Sequence, residues 1–129
     1  MARMRELEFR AWWKDTKRFL DCDEWYMTCS GAKYLHYAVM PYKDDNFIIE
    51  QYTGLKDKNG KEIYIGDVVS EHHGDIIGEI VQKPSGEYRI AWLGIYGGDS
   101  SLYYHRSLCE VIGNIHETPG LLVEAKDVD

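Results

Sequence analysis

The run Gln51-Tyr52-Thr53-Gly54-Leu55-Lys56-Asp57-Lys58-Asn59-Gly60-Lys61-Glu62-Ile63-Tyr64-Ile65-Gly66-Asp67-Val68-Val69 is the most informative stretch of the chain. Asn59-Gly60 at its centre is a strong short-range hairpin signal, because both residues tolerate the positive φ of a type I′ turn. The arms beside that turn are short and polar, so the hairpin is expected to project as a loop. Ile63, Tyr64 and Ile65 bring the chain back to a core. Gly66-Asp67 then turns it into Val68-Val69.

Strand signals continue on both sides. Upstream, Leu7, Phe9 and Ala11 alternate with Glu6, Glu8 and Arg10 across Arg5–Trp13, the period of a half-buried strand. Asp15-Thr16-Lys17 reads as a turn, and Arg18–Asp21 returns as the second arm of an N-terminal hairpin. Asp23–Ser30 fits either a strand or a short helix. Lys33–Tyr42 is expected as a strand ended by Pro41. Lys43-Asp44-Asp45-Asn46 reads as a polar turn, and Phe47–Tyr52 as the next strand.

Downstream, Val68–Glu71, Ile76–Gln82, Tyr88–Leu93 and Leu108–Ile115 read as strands. They are separated by His72-His73-Gly74-Asp75, by Pro84-Ser85-Gly86 and by the glycine-rich loop Gly94–Ser101. Thr118 and Pro119 can cap and open a short C-terminal helix running toward Ala125. Short strands at this spacing predict a mainly β fold. The expected architecture is a compact small barrel or sandwich, with an SH3-like C-terminal barrel and an N-terminal hairpin. At 129 residues the chain suits one domain over 1–129.

Charge is divided unevenly. Residues 1–66 carry 11 basic and 11 acidic side chains, whereas residues 67–129 carry 4 and 11, so the whole net charge of −7 lies in the second half. An acidic surface repels phosphate backbones and anionic lipid headgroups, which disfavours broad nucleic-acid binding. Three cysteines (Cys22, Cys29 and Cys109) have no redox or metal spacing and read as free thiols of a reducing cytosol. The N-terminus lacks a signal-peptide pattern, and no run approaches the roughly 20 apolar residues of a membrane span. The expected location is the cytoplasm.

Chemical constellations are weak. His72-His73 beside Asp75 would not chelate one ion from a strand, because adjacent side chains face opposite ways. Cys22, Cys29 and His36 are spaced too widely for the usual zinc pairing. Cys109, His105 and Asp99 contain the residue types of a thiol nucleophile, base and orienting acid, but geometry defines such a triad. Gly94–Gly98 lacks the Lys-Ser/Thr and helix that a phosphate loop needs. No catalytic residue, metal site or cofactor is expected.

The opening motif divides in two. Gly54, Asn59, Gly60, Gly66 and Asp67 have backbone reasons, since they supply turns, and Asp67 can accept bonds from amides of its own turn. Lys56, Asp57, Lys58, Lys61 and Glu62 have no packing reason and are expected to stand exposed at the tip. They are the candidate binding residues. Tyr52, Tyr64 and Trp92 could stack a base, but a core is the default home for such rings.

Three segments together resemble the YopX family of phage and prophage proteins. They are Arg5-Glu6-Leu7-Glu8-Phe9-Arg10-Ala11-Trp12, the Gln51–Tyr64 run continued by Gly66-Asp67-Val68-Val69, and Glu110-Val111-Ile112-Gly113-Asn114-Ile115-His116-Glu117 followed by Pro119 and Leu121-Leu122. Trp13 departs from the acidic residue common after the first segment, and 21–49 carries no family signature. The resemblance implies a phage-encoded cytoplasmic protein of mainly β fold, and it implies no chemistry. The resulting expectation is a non-enzymatic accessory protein that binds a host or phage protein or self-associates. The alternative is a nucleic-acid-binding small barrel using the basic tip.

Overall fold

A computed structural model describes residues 8–21, 24–27, 30, 33–37, 40–43, 47–94 and 97–122. The fold is mainly β, built of antiparallel sheets with few short helices. Among the described residues no helix is long and apolar enough to cross a membrane. The chain forms two compact units that divide between Gln51 and Tyr52.

The unit Glu8–Gln51 holds β1 (Phe9–Trp13), β2 (Arg18–Leu20), β3 (Trp25–Met27), β4 (Lys33–Tyr37), β5 (Met40–Lys43) and the first half of β6 (Phe47–Lys56). β1 and β2 make the predicted N-terminal hairpin, in register Ala11↔Leu20. β1 also pairs with β6, in register Ala11↔Ile49. Ala11, Trp13, Leu20 and Phe47 form this unit's core. Three details differ from the local pattern. Phe9, inward by alternation, is 44% exposed, whereas Trp12 and Trp13 are both buried. Burial here follows the neighbours each residue meets rather than strict period two. The ambiguous 23–30 segment contains a strand, β3, paired with β4. Pro41 lies inside β5, opposite His36, instead of ending a strand. The sheet order β3-β4-β5 puts β5 at an edge, where a residue without an N–H is tolerated.

The second unit contains the rest of β6, then β7 (Glu62–Tyr64), β8 (Asp67–Glu71), β9 (Ile76–Gln82), β10 (Tyr88–Trp92), β11 (Asp99–Ser101), α1 (Leu102–His105) and β12 (Glu110–Asn114). β8 to β12 form one antiparallel sheet in the order β11-β10-β9-β8-β12. Ile63, Val69, Ile80, Ile90, Leu102 and Cys109, none with measurable exposure, form its core. β8, flanked on both sides, is buried along its whole length. Gly78 in β9 lies against Ile90 and Trp92 so closely that a Cβ would stand 2.6 Å from the Ile90 Cγ2.

Two elements were not expected. β11 and α1 occupy the end of the glycine-rich loop and the segment after it. β11 takes its register from β10 (Arg89↔Ser101), not from its own sequence. Near the C-terminal end a helical turn begins after Thr118, whose carbonyl accepts the Leu121 amide at 3.1 Å. The Thr118 hydroxyl does not cap that turn. It donates to the Asn114 carbonyl (2.9 Å) and accepts the Asn114 amide (3.0 Å). The expected continuation to Ala125 lies outside the described residues.

Candidate functional site

The hairpin tip does not close as a type I′ turn. That turn needs positive φ at two successive residues. Here only Gly60 has it, at φ +83°. The Gly60 amide donates to the Asp57 carbonyl (3.0 Å) and the Asp57 amide to the Lys61 carbonyl (2.9 Å), which makes a longer loop.

Asp57, expected at the exposed tip, is buried. Its Oδ1 accepts the amides of Asn59 and Lys61, each at 2.9 Å, and its Oδ2 accepts the amide of Val111 at 2.8 Å. One carboxylate thus satisfies two donors of its own loop and one from β12, 54 residues away. The Lys58 amide adds a bond to the Cys109 carbonyl at 3.1 Å. The loop therefore supplies partners to the start of β12, where unpaired backbone groups would otherwise be exposed.

The other tip residues behave as expected for an exposed loop. Lys56, Lys58, Asn59, Gly60 and Lys61 are exposed, and Glu62 is half-buried opposite Lys56. The Lys58 ammonium lies 3.8 Å from Glu110. Gly54 is exposed at φ +83°. Gly66 is buried, donating to the Ile80 carbonyl and accepting the Ile115 amide. Asp67 accepts the Tyr64 amide at 2.8 Å, inside its own turn. Tyr52 is buried against Tyr64, and the Trp92 indole donates to the Ser100 hydroxyl.

Cys109, His105 and Asp99 do not form a triad. Burial, with the charges of Glu71 and Asp57 behind it, pushes the Cys109 thiol up to about 12, so it is protonated at neutral pH. The His105 Nδ1 lies 2.7 Å from the buried Glu71 carboxylate. Asp99 is engaged instead by Lys83 at 2.7 Å and Arg89 at 2.9 Å. His72 and His73 sit in an exposed turn, both in left-handed backbone (φ 53° and 59°). Cys22 and Cys29 lie outside the described residues, as does the side chain of His36.

The second unit also presents surface features that no motif announced. Tyr103, Tyr104, Leu108 and Ile112 are exposed within a ten-residue segment. The Arg106 guanidinium stacks over the Tyr103 ring at 4.0 Å. Beside them is a cleft of about 270 Å³, whose walls include Leu55, Tyr88 and Tyr103 with Gly54, Glu87 and Ser101. Sequence reasoning missed this surface because its residues come from β6, β10, β11 and α1, and two of those elements had no local signal.

The model of the family described as YopX protein matches residues 8–123. This chain belongs to the YopX family. The YopX match runs through both compact units and includes the Asp57 loop and β12. The fold is similar to the crystal structure of protein EF1440 from Enterococcus faecalis, at 24% sequence identity and a TM-score of 0.61. That likeness covers 92% of this chain and 99% of the other. No curated protein matches.

Proposed function

We propose that this YopX-family chain is a non-enzymatic protein-binding module. In this reading it is an accessory protein of a phage or prophage that acts in the bacterial cytoplasm on a host or phage protein, or on a second copy of itself. The observation that carries the reading is the exposure of Tyr103 (55%), Tyr104 (77%) and Leu108 (57%) around one short helix. Tyrosines beside an arginine are the residue types that dominate binding energy at protein interfaces. The protonated, buried Cys109 and the His105–Glu71 contact support a non-enzymatic role, since both candidate reactive groups are already committed to the fold.

Light scattering after size exclusion, with pull-downs from host lysate, tests the proposal. Self-association or a recovered partner that Tyr104→Ala and Leu108→Asp each weaken is the expected result. A strict monomer that recovers no protein would overturn it. Binding of labelled DNA or RNA at low salt, lost steeply as salt rises, would transfer the function to the lysines of the tip.

A further inference from the structure

The geometry points to the cleft between Leu55, Tyr88 and Tyr103 as a receptor for one cationic side chain, a lysine or arginine carried by a partner protein. This inference rests on the protein-binding reading and names the chemistry of what is bound.

Four observations carry it. First, Tyr88 and Tyr103 are among the residues that line the cleft, and aromatic rings attract cations. Tyr103 already holds a guanidinium within this molecule, that of Arg106, which also donates to the Tyr103 carbonyl. Second, Glu87 lines the cleft with a side chain that is 51% exposed. Its Oε1 accepts from Arg89 at 2.8 Å, and Arg89 is shared with Asp99. The second oxygen of Glu87 has no bond among the described residues and can accept from an incoming ammonium or guanidinium.

Third, the size suits a side chain. About 270 Å³ is just below the roughly 300–1,000 Å³ usual for a whole small-molecule ligand. Gly54 at the rim has no side chain, so the backbone bearing the guest can come close. Fourth, residues 67–129 carry 11 acidic against 4 basic side chains, a balance that favours a cationic over an anionic partner.

A nitrogen-15 NMR titration with two capped tripeptides tests the assignment: acetyl-Gly-Lys-Gly-amide and its norleucine analogue, which has the same stem without the charge. The lysine peptide is expected to shift the amides of Gly54, Tyr88, Ser101 and Tyr103. Its affinity is expected to fall roughly threefold or more in Glu87→Gln and in Tyr103→Ala, each an exposed position, and to fall as salt is raised. Equal shifts from norleucine, or shifts confined to 56–62, would overturn it. Pull-downs with the same variants separate this inference from the broader reading. If a partner is captured regardless of both substitutions, the cleft assignment falls and the binding module stands. If nothing is captured while the lysine peptide still binds at the cleft, the module falls and the cation site stands.

Discussion

Two hairpin loops of the second unit close with the same pair of backbone hydrogen bonds. In 57–61 the Gly60 amide reaches the Asp57 carbonyl and the Asp57 amide reaches the Lys61 carbonyl. In 83–87 the Gly86 amide reaches the Lys83 carbonyl and the Lys83 amide reaches the Glu87 carbonyl. Both carry at their fourth position a glycine in left-handed backbone, at φ +83° and +94°. The loops diverge at their first residue. Lys83 is exposed, and its ammonium pairs with a surface carboxylate, Asp99. Asp57 is buried and binds Val111 of β12. The same local turn therefore serves in one place to reverse the chain and in the other to anchor a distant strand. Turn chemistry is a property of five residues, whereas the anchor depends on where the sheet delivers the sixth.

The largest test of this contrast is Asp57→Ala. It removes the acceptor of three amides, two in the exposed loop and one in β12, and is expected to destabilise the fold by roughly 1–3 kcal/mol in urea unfolding, most of it from the lost charge-assisted bond to the Val111 amide. A loss under about 0.5 kcal/mol, the range of ordinary surface changes, would erase the difference between the loops. The same variant should open Cys109 to iodoacetamide, read by peptide mass spectrometry, because Lys58 and Asp57 hold the segment around that thiol.

Next comes Lys58→Pro, which copies Pro84 of the second loop into the first. Pro84 is compatible with its turn, whereas the Lys58 amide donates to the Cys109 carbonyl. The substitution should cost roughly 1 kcal/mol or more, because a bond is lost and a carbonyl is left unpaired. A neutral result would mean that the contact contributes nothing.

A third hairpin, the turn at 72–75, sharpens the contrast from the other side. It uses two histidines at positive φ where a glycine would be unstrained. His73→Gly is expected to raise stability by roughly 0.5–1 kcal/mol. An unchanged or lowered melting temperature would show that the histidine side chain contributes something its exposure does not reveal. The smallest effect is expected from Lys83→Ala, under about 0.5 kcal/mol, since exposed ion pairs contribute little.

Alkaline titration reads the anchored region differently. The Cys109 thiol ionises at about 12 in the folded chain against 9.0 unperturbed. Between those values the unfolded chain releases a proton that the folded chain retains. That group's contribution is intact below about pH 9 and is lost as pH rises toward 12. Cys109→Ser should flatten the alkaline fall in stability, and an unchanged slope would assign that fall to other groups.

Much of this was legible in the chain. Alternation and turn residues placed β2, β8, β9, β10 and β12 within two residues, because strand period and turn chemistry are local, whereas β1 begins at Phe9 rather than at Arg5. β11 was not legible, since Asp99-Ser100-Ser101 has no strand propensity and is extended by pairing with β10. α1 is four residues long, too short for a helical period to show. Within the candidate site, Gly54, Gly60, Gly66 and Asp67 could be assigned backbone roles from the run itself. Asp57 could not, because a charged residue between two lysines looks like solvent-facing surface until its acceptors are matched with donors.

The sequence by itself determined that this is a mainly β chain of the YopX family, with glycine-punctuated hairpins and an acidic second half. Those properties reside in neighbouring residues, or in sums over them. Only the tertiary structure decided that Asp57 is an internal anchor, that Glu71 occupies His105, and that Tyr88, Tyr103 and Glu87 face one cleft. Each of those depends on a pairing across tens of residues, and the free energy of such a contact is set by the partner and the burial that folding supplies.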